Sequence, residues 1–264
     1  MNALIAKILD LPTWLFGILF IGGFVALSLG LTLVLRSFVR RHYADEHNAV
    51  LDICFSAVGT MYAIVAGLLV FGVYTTFENA QQASANEASN LILMHKEALA
   101  FSQPYRDQAQ QAIVGYTRSV IEDDWPALAD SVGSPKTSAA LDHIYSVWAP
   151  MEPTGQWSDQ YSASVDQLNE VLKLRNERID DSRQALEPVY WFLLFGGGFL
   201  TVALLALLGM ESRTMHLLAV GITSAMLGSV LFLLLEVNQP FRGNIALSPV
   251  NYQEALQSMT GSTQ

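Results

Sequence analysis

The chain has 264 residues, 52% of them hydrophobic and only 14% charged, with a mean hydropathy of +0.32. A soluble domain carries roughly 25% charge, so this composition excludes an ordinary soluble fold and predicts an integral membrane protein. The net charge of −10 excludes nucleic acid as a partner, because phosphate binding needs clustered Lys and Arg.

In chain order, a short lead with Lys7 and Asp10 precedes an apolar run from Trp14 to Leu35 that stops at Arg36. The run has no basic start and no small-residue cleavage site, so it reads as a retained first membrane helix, not a signal peptide. A linker basic in its first half (Arg36, Arg40, Arg41) leads to the longest continuous element, His47 to about Phe101. Between Leu51 and Tyr74 there is no Pro and the one charge, Asp52, sits at the edge; roughly 20 such residues at 1.5 Å each span a bilayer core. Beyond Tyr74, Phe77, Ala80, Ala88, Leu91, Met94, Ala98 and Phe101 recur three and four apart between polar residues, the pattern of a helix with one face to bury. Cys54, the one cysteine, permits no intrachain disulfide and reads as a small buried hydrophobe.

Gln103-Pro104 breaks that helix. A second, with Tyr105, Ala109, Ile113, Tyr116 and Val120 on its stripe, is expected to end near Asp124-Trp125-Pro126. Ser134 as N-cap and Pro135 in the first turn open a third, lined by Leu141, Ile144, Tyr145 and Trp148. After a turn over Ala149 to Gly155, a long helix from Trp157 carries Tyr161, Val165, Leu168, Leu172, Arg175 and Ile179 on one side toward Pro188. Four such helices make a small bundle. Two apolar runs close the pattern, Val189 to about Met210 and Met215 to about Leu235, joined by Glu211 to Thr214 and preceded by a break at Pro188. The fold class is therefore all-α: four transmembrane helices, with an extramembrane helical bundle inserted between the second and third and the second helix continuing into it. The segments are 1–74, 75–188, 189–237 and a mostly polar C-terminal tail at 238–264, which ends in small residues expected to fray.

Orientation divides the evidence. Short loops after the first and third membrane helices hold four Arg, which places the bundle outside the cytoplasm. Lys173, Arg175, Arg178 and Arg183 in the bundle count the other way.

Small residues mark one side of the second membrane helix: Ser56, Gly59, Thr60, Ala63, Ala66 and Gly67. Small residues let helices pack closely, and the same positions are the candidate pore lining, since a narrow apolar constriction can gate by dewetting. Gly196-Gly197-Gly198, Gly221 and Gly228 predict tight crossings in the last two membrane helices. Glu78, Arg183, Glu187, Glu236 and Arg242 form a candidate interfacial charge network. Asp123-Asp124 and Asp180-Asp181 read as solvated helix ends. His42, Asp45, Glu46 and His47 are metal-ligand types without a zinc-type spacing, and His216 with Glu211 reads as a cross-loop pair. No metal, cofactor or enzymatic activity is expected, because nucleophile elbow, P-loop and catalytic His/Asp spacings are missing from the sequence.

Several of these pieces together resemble the bestrophin-like family of bacterial four-helix membrane proteins. They are Glu46-His47-Asn48 with Gly59-Thr60-Met61-Tyr62-Ala63, Glu87-Ala88, Glu122-Asp123-Asp124-Trp125-Pro126, Arg178, Pro188 with Trp191, and Gln239-Pro240-Phe241-Arg242-Gly243. The resemblance implies a multi-pass protein of the bacterial inner membrane, remotely similar to bestrophins, pentameric anion channels whose second membrane helix lines a narrow neck. A homo-oligomeric ion channel in the lipid bilayer is the leading expectation. The alternative is a non-conducting scaffold or stress sensor whose bundle binds a protein partner.

Overall fold

The computed structural model describes residues 12–39, 45–151, 158–210 and 212–261, and all the regular structure among them is helical. The helices are α1 (Thr13–Val39), α2 (Asp45–Glu97), α3 (Tyr105–Ser119), α4 (Trp125–Leu128), α5 (Pro135–Trp148), α6 (Ser158–Arg183), α7 (Pro188–Leu207), α8 (Arg213–Val237) and α9 (Val250–Thr260). They build two compact units. The first takes residues up to 75, 185–238 and 243–245; the second takes 76–184, 239–242 and 246–264.

The first unit holds α1, the N-terminal half of α2, α7 and α8, four helices long and apolar enough to cross a membrane. α1 and α8 run antiparallel. Phe16 and Phe20 meet Phe232 with ring centroids 5.6 and 6.3 Å apart, and a Cβ on Gly228 would lie 3.5 Å from the Ile21 Cα. Tyr62 of α2 lies against Gly197 and Gly198 of α7, in a core shared with Ala66, Leu194, Leu231 and Leu234. Only 11% of the apolar windows of α1 and α2 is buried. In water that surface would be intolerable; in hydrocarbon it is the solvent-facing side.

The second unit is packed around Leu91, Met94, Phe101, Ile113, Tyr116, Ile144, Trp148 and Leu168, all essentially inaccessible. The period-3.6 stripes of α2, α3, α5 and α6 supply this core.

Four local expectations change. The second bundle helix does not stop before Trp125-Pro126: a π-helical turn over Val120–Asp124 carries it into α4 and on to Leu128. The wider turn admits the Pro126 ring, which a regular i→i−4 ladder would exclude. The Ser134 side chain does not cap α5; its backbone is used instead, the N–H donating to Asp124 and the carbonyl accepting from Ser138 Oγ. The C-terminal segment is more than a polar tail, because α9 buries Tyr252 and Ala255 in the second unit's core. Cys54 is exposed, not buried. At Pro188 the expected break is present, with α6 ending at Arg183, Glu187 extended (φ −63°, ψ 153°) and Pro188 opening α7. The start near Trp157, the turn residues 152–155 and Glu211 lie outside the described residues.

Candidate functional site

At 100° per residue, the six small positions of α2 fall on two faces. Ala66 and Gly59 lie on the face of Tyr62, toward the subunit's own helices: Ala66 is in the core, and a Cβ on Gly59 would meet Thr201 at 3.9 Å. Ser56, Thr60, Ala63 and Gly67 share the neighbouring face and are exposed. The Thr60 hydroxyl donates to the Ser56 carbonyl at 2.7 Å, which turns that hydroxyl toward the helix's own backbone. Beside it stands a strip of large exposed side chains, Met61, Ile64, Val65 and Leu68.

At one end of this unit the helices are tied through polar groups. Arg36 of α1 meets His216 of α8 (Nη1 to Nδ1, 3.0 Å), and His216 Nε2 lies 3.0 Å from the Leu205 carbonyl oxygen of α7. Asn48 of α2 holds the Gly209 backbone on both sides, at 3.0 and 2.8 Å. The expected His216 and Glu211 pair falls partly outside the described residues, and Arg36 occupies one imidazole nitrogen. His42 and the side chains of Asp45, Glu46 and His47 lie outside them too; among those described, no group of three or more metal-ligand side chains converges.

The second unit contains a buried ion network that the sequence alone did not assemble. Arg178 Nη2 lies 2.8 Å from Asp124 Oδ2 and 3.4 Å from Glu87 Oε2, with all three side chains inaccessible. Arg175 Nη2 lies 3.1 Å from Asp124 Oδ1, which also accepts from the Ser134 N–H at 2.7 Å. Tyr116 donates to Glu87 at 2.6 Å. The Arg178 guanidinium lies 5.6 and 5.2 Å from the ring centroids of Trp125 and Tyr252, and Trp125 Nε1 donates to the Leu247 carbonyl. Burial pushes the Tyr116 and Tyr252 phenols well above their usual range, which keeps both as O–H donors. Two guanidinium groups face two carboxylates. Burial raises the Glu87 carboxyl above its usual range while the Arg178 guanidinium beside it acts to lower it, and removal of one member of the network would strand another at a cost of about 3–5 kcal/mol.

This network corrects the reading of Asp124 and Asp181 as solvated ends. Asp123 is solvent-facing and paired with Lys136 (2.8 Å), whereas Asp124 is fully buried. Asp180 is exposed and paired with Arg183 (3.2 Å), whereas Asp181 is buried beside Gln184. The five candidate interfacial charges fall in both units. In the first, Glu187 is exposed, and Glu236 is buried with Oε2 making no hydrogen bond among the described residues. In the second, Glu78 is exposed, Arg242 half-buried, and Arg183 bonds Asp180 and the Ser131 carbonyl. A further polar cleft of about 480 Å³ opens between α2 and α6, lined by Asn79, Gln82, Asn86, Glu177, Asp180, Asp181 and Gln184.

The sequence pattern of the Bestrophin-like domain matches residues 22–252. No curated protein matches the chain. Among solved structures, two variants of a bacterial bestrophin homologue from Klebsiella pneumoniae share the fold. One is 14% identical with a TM-score of 0.71, over 92% of this chain and 99% of the other. The second is 14% identical with a TM-score of 0.72, over 92% and 97%. A structure described as a membrane protein is similar at 15% identity and a TM-score of 0.71, over 92% and 100%. Glu87, Asp124, Trp125 and Arg178, dispersed in the sequence, meet in one buried network inside the matched span. With the four apolar helices and the pattern match over most of its length, this integral membrane protein belongs to the Bestrophin-like family.

Proposed function

We propose that the protein is a homo-oligomeric ion channel, not an enzyme, and that its pore is lined by Ser56, Thr60, Ala63 and Gly67 from each copy of α2. The observation that carries this reading is the divided free face of α2. The small strip suits a narrow axial passage, and the large strip of Met61, Ile64, Val65 and Leu68 suits contact with a neighbouring copy. The proposed lining leaves out Gly59 and Ala66, whose packing against helices of their own subunit favours a structural place for them. The second unit is the extramembrane bundle, a vestibule or regulatory domain built from the segment between the second and third membrane helices together with the C-terminal segment. Its excess of acidic residues would favour cations at the mouth, whereas the bestrophin resemblance implies anions. The membrane is the bacterial inner membrane.

Purified protein in planar bilayers tests the proposal. Ala63→Trp, which fills the small strip, is expected to reduce unitary conductance at least tenfold while native mass spectrometry shows the oligomer intact. Silent bilayers from a folded wild-type oligomer, or a monomer in lipid, would overturn it and leave the scaffold reading.

A further inference from the structure

The cleft of about 480 Å³ in the second unit has two chemically different walls. α2 contributes the uncharged amides Asn79, Gln82 and Asn86, and α6 contributes Glu177, Asp180 and Asp181. Between Asn79 and Leu93 the one charge on α2 is Glu87, already held in the buried ion network. The facing wall therefore brings no cation to these acids. Asp180 is answered by Arg183 at 3.2 Å. Glu177 has Lys173 at 4.0 Å, a lysine that Glu170 holds more closely, at 3.0 Å. Neither basic residue lines the cleft. Asp181 is different: it is only 8% exposed, and no Lys or Arg among the described residues pairs with it. Gln184 donates to its Oδ1 at 3.3 Å, and Oδ2 has no partner among the described residues. A carboxylate withdrawn from water without a counter-charge is costly, and burial with its two acidic neighbours raises this one to about 6. Since Asp181 is part of the lining, the cleft is where its missing partner would sit.

We propose that this cleft binds a linear polyamine, an aliphatic cation whose ammonium groups are joined by short methylene chains. Glu177 and Asp181 stand four residues apart on α6, about 6 Å along its axis at the helical rise. Two ammonium groups on one short chain can span that distance. Each ammonium has three donors and no acceptor, so the hydrogens that the carboxylates leave over can go to the amide oxygens of α2. Buried Leu174 and Ala83 complete the lining with apolar surface for the methylenes. A bare metal ion fits less well. It needs several oxygens converging on one point, and among the described residues no group of three or more metal-ligand side chains does so. A cleft of this volume suits a small organic molecule instead. The inference rests on the second unit alone and not on the pore reading.

Isothermal titration calorimetry of the full-length protein, in nanodiscs of zwitterionic lipid, tests the site without reference to conduction. Spermidine is the probe, with butylamine and magnesium chloride as comparisons. Spermidine is expected to bind saturably, once per chain and at least tenfold more tightly than either comparison. Asp181→Asn should weaken it at least tenfold, whereas Asp142→Asn, which removes an exposed acid of α5, should leave it unchanged. Equal weakening by the two variants would reveal a general attraction to an acidic surface and overturn the site. Heats that do not saturate, or magnesium binding as tightly as spermidine, would overturn it too. If Asp181→Asn fails to fold, Gln82→Lys at an exposed position of the amide wall decides. A tethered ammonium there should cut spermidine affinity at least tenfold, and an unchanged affinity overturns the proposal.

Discussion

Asp123 and Asp124 are neighbours in sequence and opposites in environment, and the same division recurs at Asp180 and Asp181. Successive helical residues point about 100° apart, so one acid of such a pair meets water while the other turns inward. Asp181 carries the measurable consequence. Burial, with Glu177 and Asp180 adding to it, raises its pKa to about 6. A carboxylate whose folded pKa lies above its unfolded value stabilises the fold only while protonated. That contribution is full below about pH 4 and is lost as the pH rises through about 6. Asp181→Asn, which keeps the acceptor oxygen for Gln184, should therefore raise the thermal midpoint at pH 7 to 8 and leave it unchanged near pH 4, measured by scanning fluorimetry across that range. Sequence reasoning missed the buried acids because their partners lie far along the chain: Asp124 is answered by Arg175 and Arg178. One signal was available. Arg175 stands on the apolar stripe of α6 with Leu168 and Ile179, and Arg178 follows three positions later, placing two guanidinium groups where solvent would be excluded.

Elements were more legible than their faces. The apolar runs and Pro188 located α1, α7 and α8 to within a few residues, because twenty uncharged apolar residues have few other uses. The π turn at Val120–Asp124 was not legible, since Trp125-Pro126 in isolation looks like a stop. The glycines show the same limit. Gly196-Gly197-Gly198 promised a tight crossing, yet three consecutive residues cannot all face one neighbour. A Cβ on Gly197 would lie 2.5 Å from the Tyr62 ring, one on Gly198 would lie 3.2 Å from its hydroxyl, and one on Gly196 would meet nothing within 4 Å. Gly228 packs closely on α1, whereas Gly221 is open. Gly197→Ala should then destabilise the first unit by about 1–3 kcal/mol, the usual cost of overpacking against a ring that cannot fold away, and Gly196→Ala should be neutral within about 0.5 kcal/mol. Thermal unfolding of both variants in one detergent measures the difference; equal midpoints would contradict the close approach of α7 to Tyr62.

At the scale of the whole molecule, chain order and spatial order disagree at the C-terminus. The segment after 238 is mostly polar and reads as a tail, because the apolar residues of its helical part, among them Tyr252, Ala255 and Met259, are too few to announce a core helix. They nevertheless recur at helical spacing, and α9 lays them on the second unit's core. Trp125 takes from this segment two ring contacts, Phe241 at 5.2 Å and Tyr252 at 5.7 Å, and the Leu247 carbonyl. Arg178 takes one of its two aromatic faces. The second unit thus draws part of its core from the far end of the chain. Losing a buried aromatic side chain costs about 3–5 kcal/mol, against a total stability of about 5–15 kcal/mol for a typical domain. Removing Phe241 and Tyr252 together would then cost most of the stability available, while also uncovering Trp125 and one side of a buried ion network. Expressed alone, residues 76–184 should show helical circular dichroism without a cooperative thermal transition. Rejoining residues 239–261 through a short flexible linker should restore the transition and slow hydrogen exchange at Tyr116, Asp124 and Arg178. A cooperative, exchange-protected 76–184 fragment would show instead that α9 docks on a bundle already complete.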